Sequence, residues 1–413
     1  YTLHEAHSPT KIKIMPFLAF RNVHDLTRAN LEADTRCKEI RNGIKAKLYT
    51  GFPNLCMQVS KKNEFIAAPD WYYNIEYIEE KKRGYDFQED LFVPGYFELP
   101  MKKGDSIVFT AGTKEIAPNT LKQKFTSEIK KRIPRNNFEN CLKNSALQFT
   151  AKRGKKAHII AGFPWFGSWS RDTFISLPGL CLSLEDVKTC KMVLDTMSPM
   201  LKHGLFPNVI KEKPDYDSVD APLWYIWAIQ QYVKHNENAN EAWDNYGKKI
   251  KNILSNFRKG TLYNIQMRSN GLIFAGEKGR ALTWMDAIVH GKPVTPRIGF
   301  AVEVNALWYN AIRFALELAE KADDKSFVKN WKSIPEIIEQ SFTDVFWDKE
   351  KGYLADYADE VTKDWSVRPN QLLAASLPYS PVSNEIKIAV LEVVENELLT
   401  PKGLRSLSPK SAL

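Results

Sequence analysis

The chain has 413 residues, 44% of them hydrophobic, a composition that fits a globular protein of about two domains with a large buried core. No apolar run is long enough to span a bilayer, so no membrane partner is expected. The formal charge of +9 is local: residues 122–156 hold eleven Lys and Arg against Glu128 and Glu139, and with little aromatic interleaving and no nucleic-acid motif they read as a solvated helix-and-linker face rather than a nucleic-acid site.

Residues 1 to about 118 read as β. Short alternating runs cover Tyr1–Phe20, Leu48–Val59, Phe65–Ile78, Tyr96–Leu99 and Asp105–Gly112. Met101-Lys102-Lys103-Gly104-Asp105 carries a hairpin-like turn signal between the last two, and a β-sandwich is expected. From about residue 121 the period becomes helical. The expected helices are Lys122–Arg132, Asn137–Lys152, Asp172–Leu182, Leu184–Leu201 and Val219–Lys234, then Asn240–Lys259, Ala301–Ala322, Ser326–Phe346, Gln371–Leu377 and Ser383–Leu399. Leu307, Ala311, Phe314, Ala315 and Leu318 trace an apolar stripe at helical spacing. Strands and helices do not alternate, which argues against a parallel α/β sheet. Most of the polar residues of interest fall in three long loops, 203–217, 261–299 and 348–369.

Five cysteines with no metal-ligand spacing, several in apolar runs, read as buried reduced thiols, and a cytoplasmic location is expected. Eleven Trp and sixteen Tyr suggest half-buried, wet surfaces. Several Trp lie beside charged groups: Trp165 and Trp169 near Arg171-Asp172, Trp224 after Asp220, and Trp284 two residues before Asp286. Glu303 and Asn305 interrupt an apolar helix, and Arg368, Asn370 and Gln371 cluster before the next one. Each cluster has a plainer reading. Asp172 and Asp220 stand where helix caps would, Asp286 could be a loop acid, and the 365–371 segment could be a turn. Together they fit a sugar site, because pyranose C–H faces stack on aromatic rings and hydroxyls take charged, bidentate partners. Glycosidic hydrolysis needs two carboxyl groups, one of them protonated; Asp286 beside Trp284 is the candidate acid. There is no P-loop, no GxGxxG after a strand, no HExxH and no GxSxG elbow.

The chain resembles the C-terminal glucosidase domain of glycogen debranching enzymes, the amylo-α-1,6-glucosidase family. The likeness rests on ordered segments: Ala161 to Phe166, Arg171 to Ile175, His203 to Asn208, Asp220 to Trp224, Leu282 to Ala287, Thr295 to Arg297, Val302 to Trp308 and Arg368 to Gln371. It extends more loosely to Arg21-Asn22-Val23-His24, Trp71 to Asn74 and Arg83 to Gly95. Ser170 departs from the glycine usual in the family before Arg-Asp.

The resemblance implies an (α/α)6-barrel catalytic domain, truncated at its C-terminus, preceded by a β-sandwich domain. The expected division is 1–120 for the sandwich, 121–150 for basic linker helices and 151–413 for the barrel. It implies inverting hydrolysis of α-1,6-linked glucose in glycogen or a branched α-glucan, with no metal or organic cofactor. Asp286 is then the general acid. Trp165, Trp169 and Trp284 stack on sugar; Arg171, Asp172, Asp220 and Arg368 hold hydroxyls; Glu303, Asn370 and Gln371 line or support the pocket. The family's general base lies in a segment beyond residue 413, so this chain alone is expected to bind sugar and hydrolyse it weakly. A glucoamylase-like or trehalase-like exo-glucosidase and a non-catalytic glucan-binding protein are the alternatives.

Overall fold

The computed structural model describes residues 1–411 apart from 164, 237 and 238. It separates into two compact units, Tyr1–Asn144 and Ser145–Leu413. The first contains β1 (Thr10–Ile14), β2 (Cys37–Ile40), β3 (Gly43–Ala46), β4 (Leu55–Val59), β5 (Glu64–Glu76), β6 (Gln88–Met101) and β7 (Phe109–Gly112). These form two antiparallel sheets, ordered β1-β6-β5 and β2-β3-β4-β7. Both feed one core, with Ile44, Met57 and Val59 from the second sheet and Phe92, Phe97 and Leu99 from the first.

Pro69 interrupts β5, where the pairing with β6 shifts register between Ala67 and Asp70. Proline has no N–H to give the ladder, so a bulge is the expected outcome. Gly95 of β6 has φ +139°, and a Cβ there would lie 2.1 Å from the Ile66 carbonyl oxygen, so only glycine fits. The Met101–Asp105 segment is a tight turn, closed by Asp105 N–H to Lys102 O at 2.9 Å. It does not make a hairpin, because β6 and β7 pair in different sheets. The β2–β3 hairpin escaped the sequence reading: alternate lysines hide its pattern, although Asn42 (φ +52°) before Gly43 is a turn signal.

The helices are α1 (Ile78–Lys82), α2 (Leu121–Lys131), α3 (Phe138–Gln148), α4 (Ser170–Leu180), α5 (Val187–Met197), α6 (Ala221–Asn236), α7 (Ala239–Lys259), α8 (Val302–Lys321), α9 (Lys325–Trp331), α10 (Ile334–Phe346), α11 (Gln371–Ser376) and α12 (Asn384–Glu397). Two expectations change. The helix from Asn137 stops at Gln148, and Thr150–Arg153 pairs with Lys156–Ile159 around Gly154 (φ +60°). The Ser326–Phe346 helix is two helices. Pro335 in the first turn of α10 marks the restart, because proline cannot donate to a preceding turn.

The second unit is organised around α8, sixteen of whose twenty residues are buried. It packs against α6, α7, α9, α10 and α11. Its apolar stripe explains most of that burial, and its polar residues are there because each has partners. Asn305 accepts from Ile273 N–H at 2.7 Å and donates to Ile273 O and Ala301 O. Asn310 donates to Gln230 Oε1 on α6 at 2.9 Å and accepts from Tyr379 N–H at 3.1 Å. Among the described residues no helix is long and apolar enough to cross a membrane.

Asn310→Ala strands the Tyr379 amide and the Gln230 carbonyl in the core. It is expected to lower unfolding free energy by about 1–3 kcal/mol, seen as a lower urea midpoint at unchanged denaturant slope.

Candidate active site

The site begins where α4 begins. Trp169 forms a β-bridge with Val209, and Ser170 is held by its N–H to Asn208 O at 3.1 Å and its hydroxyl to Pro207 O at 2.5 Å. The departure from glycine at position 170 is therefore accommodated, since its hydroxyl finds a buried acceptor. The entry angle fixed, the first helical turn presents Arg171 inward and Asp172 outward. Asp172 is not the helix cap: α4 starts two residues earlier and its N-cap, Trp169, makes no side-chain bond.

Arg171 is buried and uses its fork in three directions. Nε donates to both Asp220 carboxylate oxygens at 3.0 and 2.8 Å, Nη1 to Asp286 Oδ2 at 2.9 Å, and Nη2 to Ser218 Oγ at 3.1 Å. Burial opposes its charge, but Asp220 and Asp286 outweigh burial and hold the guanidinium protonated. Asp220 is buried too, with Ser218 Oγ donating to it at 2.7 Å. Ser218, not the Asp220 side chain, accepts the Ala221 N–H at the start of α6.

The segment Thr283–Asp286 is gripped from the opposite side. Trp284 Nε1 donates to Asn370 Oδ1 at 2.7 Å, and Asn370 Nδ2 donates to Asp356 Oδ1 at 2.7 Å. Thr295 Oγ1 donates to Met285 O at 3.1 Å, and Arg297 Nη1 to Thr283 Oγ1 at 3.2 Å. Arg297 also binds both oxygens of Glu303 and the Asp356 carbonyl. Its Nε lies 2.9 Å from Asp356 Oδ2, an ion-pair distance out of line for a hydrogen bond. Arg368 Nε stands 3.8 Å from the same oxygen. Burial pushes the Asp356 carboxyl up to about 6, against the pull of Arg297.

Between these supports lies an open cleft of about 720 Å³, lined by Phe149, Ile159, Phe166, Trp169, Arg171, Asp172, Ile175, Leu180, Trp284 and Asp286, among others. Asp172 faces it, and among the described residues its carboxyl takes no hydrogen bond from any other residue. Although solvent reaches Asp172, the cleft wall removes hydration and raises its carboxyl above the ordinary range, with Asp286 and Asp220 adding to the rise and Arg171 opposing it.

The structure thus brings Trp169, Arg171, Asp172, Trp284 and Asp286 to one surface. Five other expected residues are not on it. Asp220, Glu303, Arg368, Asn370 and Gln371 are buried, and their charged and polar groups turn to partners inside, Arg368 Nε reaching Asp356 only at 3.8 Å. Asp220 pairs with Arg171, Glu303 with Arg297 and Arg368 with Asp356. Asn370 bridges Trp284 to Asp356. Gln371 accepts from Leu354 N–H at 3.2 Å and donates to Arg368 O. They support the cleft and do not touch it. Trp165 is 53% exposed and stands outside the cleft lining, whereas Phe166 lines it with an edge-to-face contact to Trp169 at 6.5 Å. Pro164 of that motif lies outside the described residues. Asp356 is the functional-region residue that the sequence reading missed; nothing local distinguishes it from its loop neighbours Asp348 and Asp359.

The family described as Amylo-alpha-1,6-glucosidase matches residues 144–412, and the one described as Glycogen debranching enzyme N terminal matches residues 1–108. A glycogen debranching enzyme of Saccharomyces cerevisiae is 25% identical over an alignment of 340 residues, and the match covers 61% of this chain and 22% of the yeast protein. The fold resembles that of a bacterial glucoamylase solved in complex with acarbose. The TM-score is 0.51 at 16% identity, over 87% of this chain and 58% of that one. The chain therefore spans less than two thirds of either relative's length.

Two outcomes follow from the geometry. Arg171→Met leaves Asp220 as a buried, unpaired charge and is expected to cost about 3–5 kcal/mol of stability by chemical denaturation. The second concerns pH. Folding raises the Asp172 carboxyl, so the folded state holds that proton more tightly than the unfolded chain. Its ionisation therefore weakens the fold as pH rises from the ordinary aspartate range through the raised value. Asp172→Asn should raise the melting temperature at pH 7 and leave it nearly unchanged at pH 3.

Proposed function

The chain belongs to the amylo-alpha-1,6-glucosidase family, and from that premise we propose that it is an inverting glycoside hydrolase that releases α-1,6-linked glucose at branch points of glycogen or a related α-glucan. The observation that carries this reading is Arg171 Nη1 at 2.9 Å from Asp286 Oδ2, at the edge of a cleft walled by Trp169 and Trp284. We read the helical unit as an (α/α)6 barrel and the two sheets before it as a β-sandwich. The six-hairpin likeness to glucoamylase and the shared core of the two sheets support this.

In this mechanism the terminal glucose lies in the cleft with its C–H faces against Trp169 and Trp284. Asp172, free of side-chain partners, accepts from its hydroxyls. Asp286 gives its proton to the glycosidic oxygen as the C–O bond breaks. The Arg171 guanidinium, 2.9 Å away, stabilises the carboxylate left behind as the proton leaves. A water attacks the opposite face of the anomeric carbon. We assign no residue of this chain to its activation. Trp165, outside the cleft, is an outer platform for the rest of the glucan. Asp220, Glu303, Arg368, Asn370 and Gln371 hold the cleft walls from behind. Paired carboxyl groups suffice for this chemistry without a metal or organic cofactor.

Asp286→Asn keeps the side chain's shape and a contact to Arg171 but removes the proton donor. In the protein at its full natural length, glucose release from a glucosyl-branched maltooligosaccharide should fall by about 10²–10⁴-fold, with sugar affinity within about threefold. Turnover retained in Asp286→Asn would remove Asp286 from the acid role. Faster glucose release from trehalose or linear maltooligosaccharide than from the branched substrate would reassign the substrate.

A further inference from the structure

We propose that Asp356 is a positioning residue for Trp284: acting through Asn370, it fixes the plane of the indole against the cleft, and the unbroken hydrogen-bonded link from Trp284 through Asn370 to Asp356 is what holds it. As a role in sugar handling this rests on the proposed function above; the link itself does not.

An indole N–H only donates, so its partner must accept. Trp284 Nε1 meets Asn370 Oδ1 at 2.7 Å. That contact orients the amide and sends its NH2 group the other way, because the flipped amide would set two donors against each other. Nδ2 then finds Asp356 Oδ1 at 2.7 Å, with the Met285 sulfur at 3.5 Å as a weak second acceptor. The carboxyl of Asp356 is 2% exposed and is held on its far side by Arg297 and Arg368.

The charged and titratable groups that face this carboxyl are those two arginines, Glu303 from α8 and the adjacent Tyr357. The two guanidinium groups balance the two carboxylates, so the cluster can stay buried without an uncompensated charge. Trp284 itself is 39% exposed. Packing alone does not settle its ring plane, and the hydrogen bond at its one polar atom does. The ring belongs to the same short segment as Asp286, so turning it displaces the wall against which a sugar would lie.

The chain of donors can be broken without changing shape. Asn370→Asp still accepts from Trp284, but its second oxygen faces the Asp356 carboxylate with no proton between them. At low pH one proton shared by the two carboxyls restores the link, and it is lost as pH rises. The swap Asp356→Asn with Asn370→Asp restores an unbroken link with its second hydrogen bond reversed: the new amide at 356 donates to the new carboxylate at 370, which also accepts from Trp284, so no proton shared between two carboxyls is needed.

The test is the indole 15N–1H signal of Trp284, assigned by its loss in Trp284→Phe, followed from pH 5 to pH 7.5 in each variant. Glucose release is measured beside it, with folding verified by circular dichroism. Asn370→Asp should match the wild-type signal at pH 5 and depart from it at pH 7.5, and the swap should match at both. In glucose release, Asn370→Asp relative to wild type should lose about tenfold in kcat/KM at pH 7.5. At pH 5 it should recover to within about threefold.

A Trp284 signal in Asn370→Asp that equals wild type at both pH values overturns the proposal. So does one equally altered at both and unrelieved by the swap. If the wild-type protein releases no glucose, the functional reading fails, and the indole signal still decides the link.

Discussion

A guanidinium buried in a protein must be surrounded by acceptors, and in this chain that requirement assembles the site. Arg171 sits in the first turn of α4 with almost no solvent contact. Its donors are met by Asp220 and Ser218, which precede α6, and by Asp286, 115 residues further along the chain. Without all three segments together, a cation or an anion would be left desolvated and unpaired, at a cost comparable to a large part of a domain's net stability. The ion pairs add little beyond the desolvation they offset. What they add is specificity of arrangement, because few other packings of these helices satisfy the same fork.

The second constraint works on the same segment from the other side. Arg297, Glu303, Asp356 and Arg368 form a compact, charge-balanced cluster below the cleft. From it, hydrogen bonds reach Thr283 directly and Trp284 by way of Asn370. Thr283, Trp284, Met285 and Asp286 each have at least one tie to a different part of the fold. A carboxyl that must meet a leaving oxygen in one geometry is best carried on such a segment, since the cost of ordering it is met during folding and not during reaction.

Much of the fold was legible because helical periodicity is a local signal. The stripe on α8, Leu307 to Leu318, placed that helix to within one residue at each end. The split at α9–α10 and the short hairpin after α3 were not, since each depends on a single Pro or Gly inside an apolar pattern that continues across it. The β unit was harder. Which strands share a sheet is decided by contacts far apart in sequence, so the Met101–Asp105 turn was visible and the parting of its flanking strands was not.

In the site, residue type and clustering singled out Arg171, Asp172, Trp284 and Asp286, which the fold brings to one cleft. Which polar groups face the cleft was beyond reach. Glu303 and Asn370 bind partners 6 to 86 residues away, and a buried partner and a sugar hydroxyl ask for the same side chains. Asp356 had no local signature at all, because its importance lies in two arginines and an amide that only the tertiary fold brings to it.

The proposed function requires this cleft to break an α-1,6 glucosidic bond by direct attack of water on the face opposite Asp286. A proton NMR time course on a glucosyl-branched maltooligosaccharide, with the protein at its full natural length, tests it most directly. Inversion requires the β anomer of glucose to appear first and to mutarotate afterwards. Initial release of α-glucose, or no glucose from a protein that binds the oligosaccharide, would contradict it.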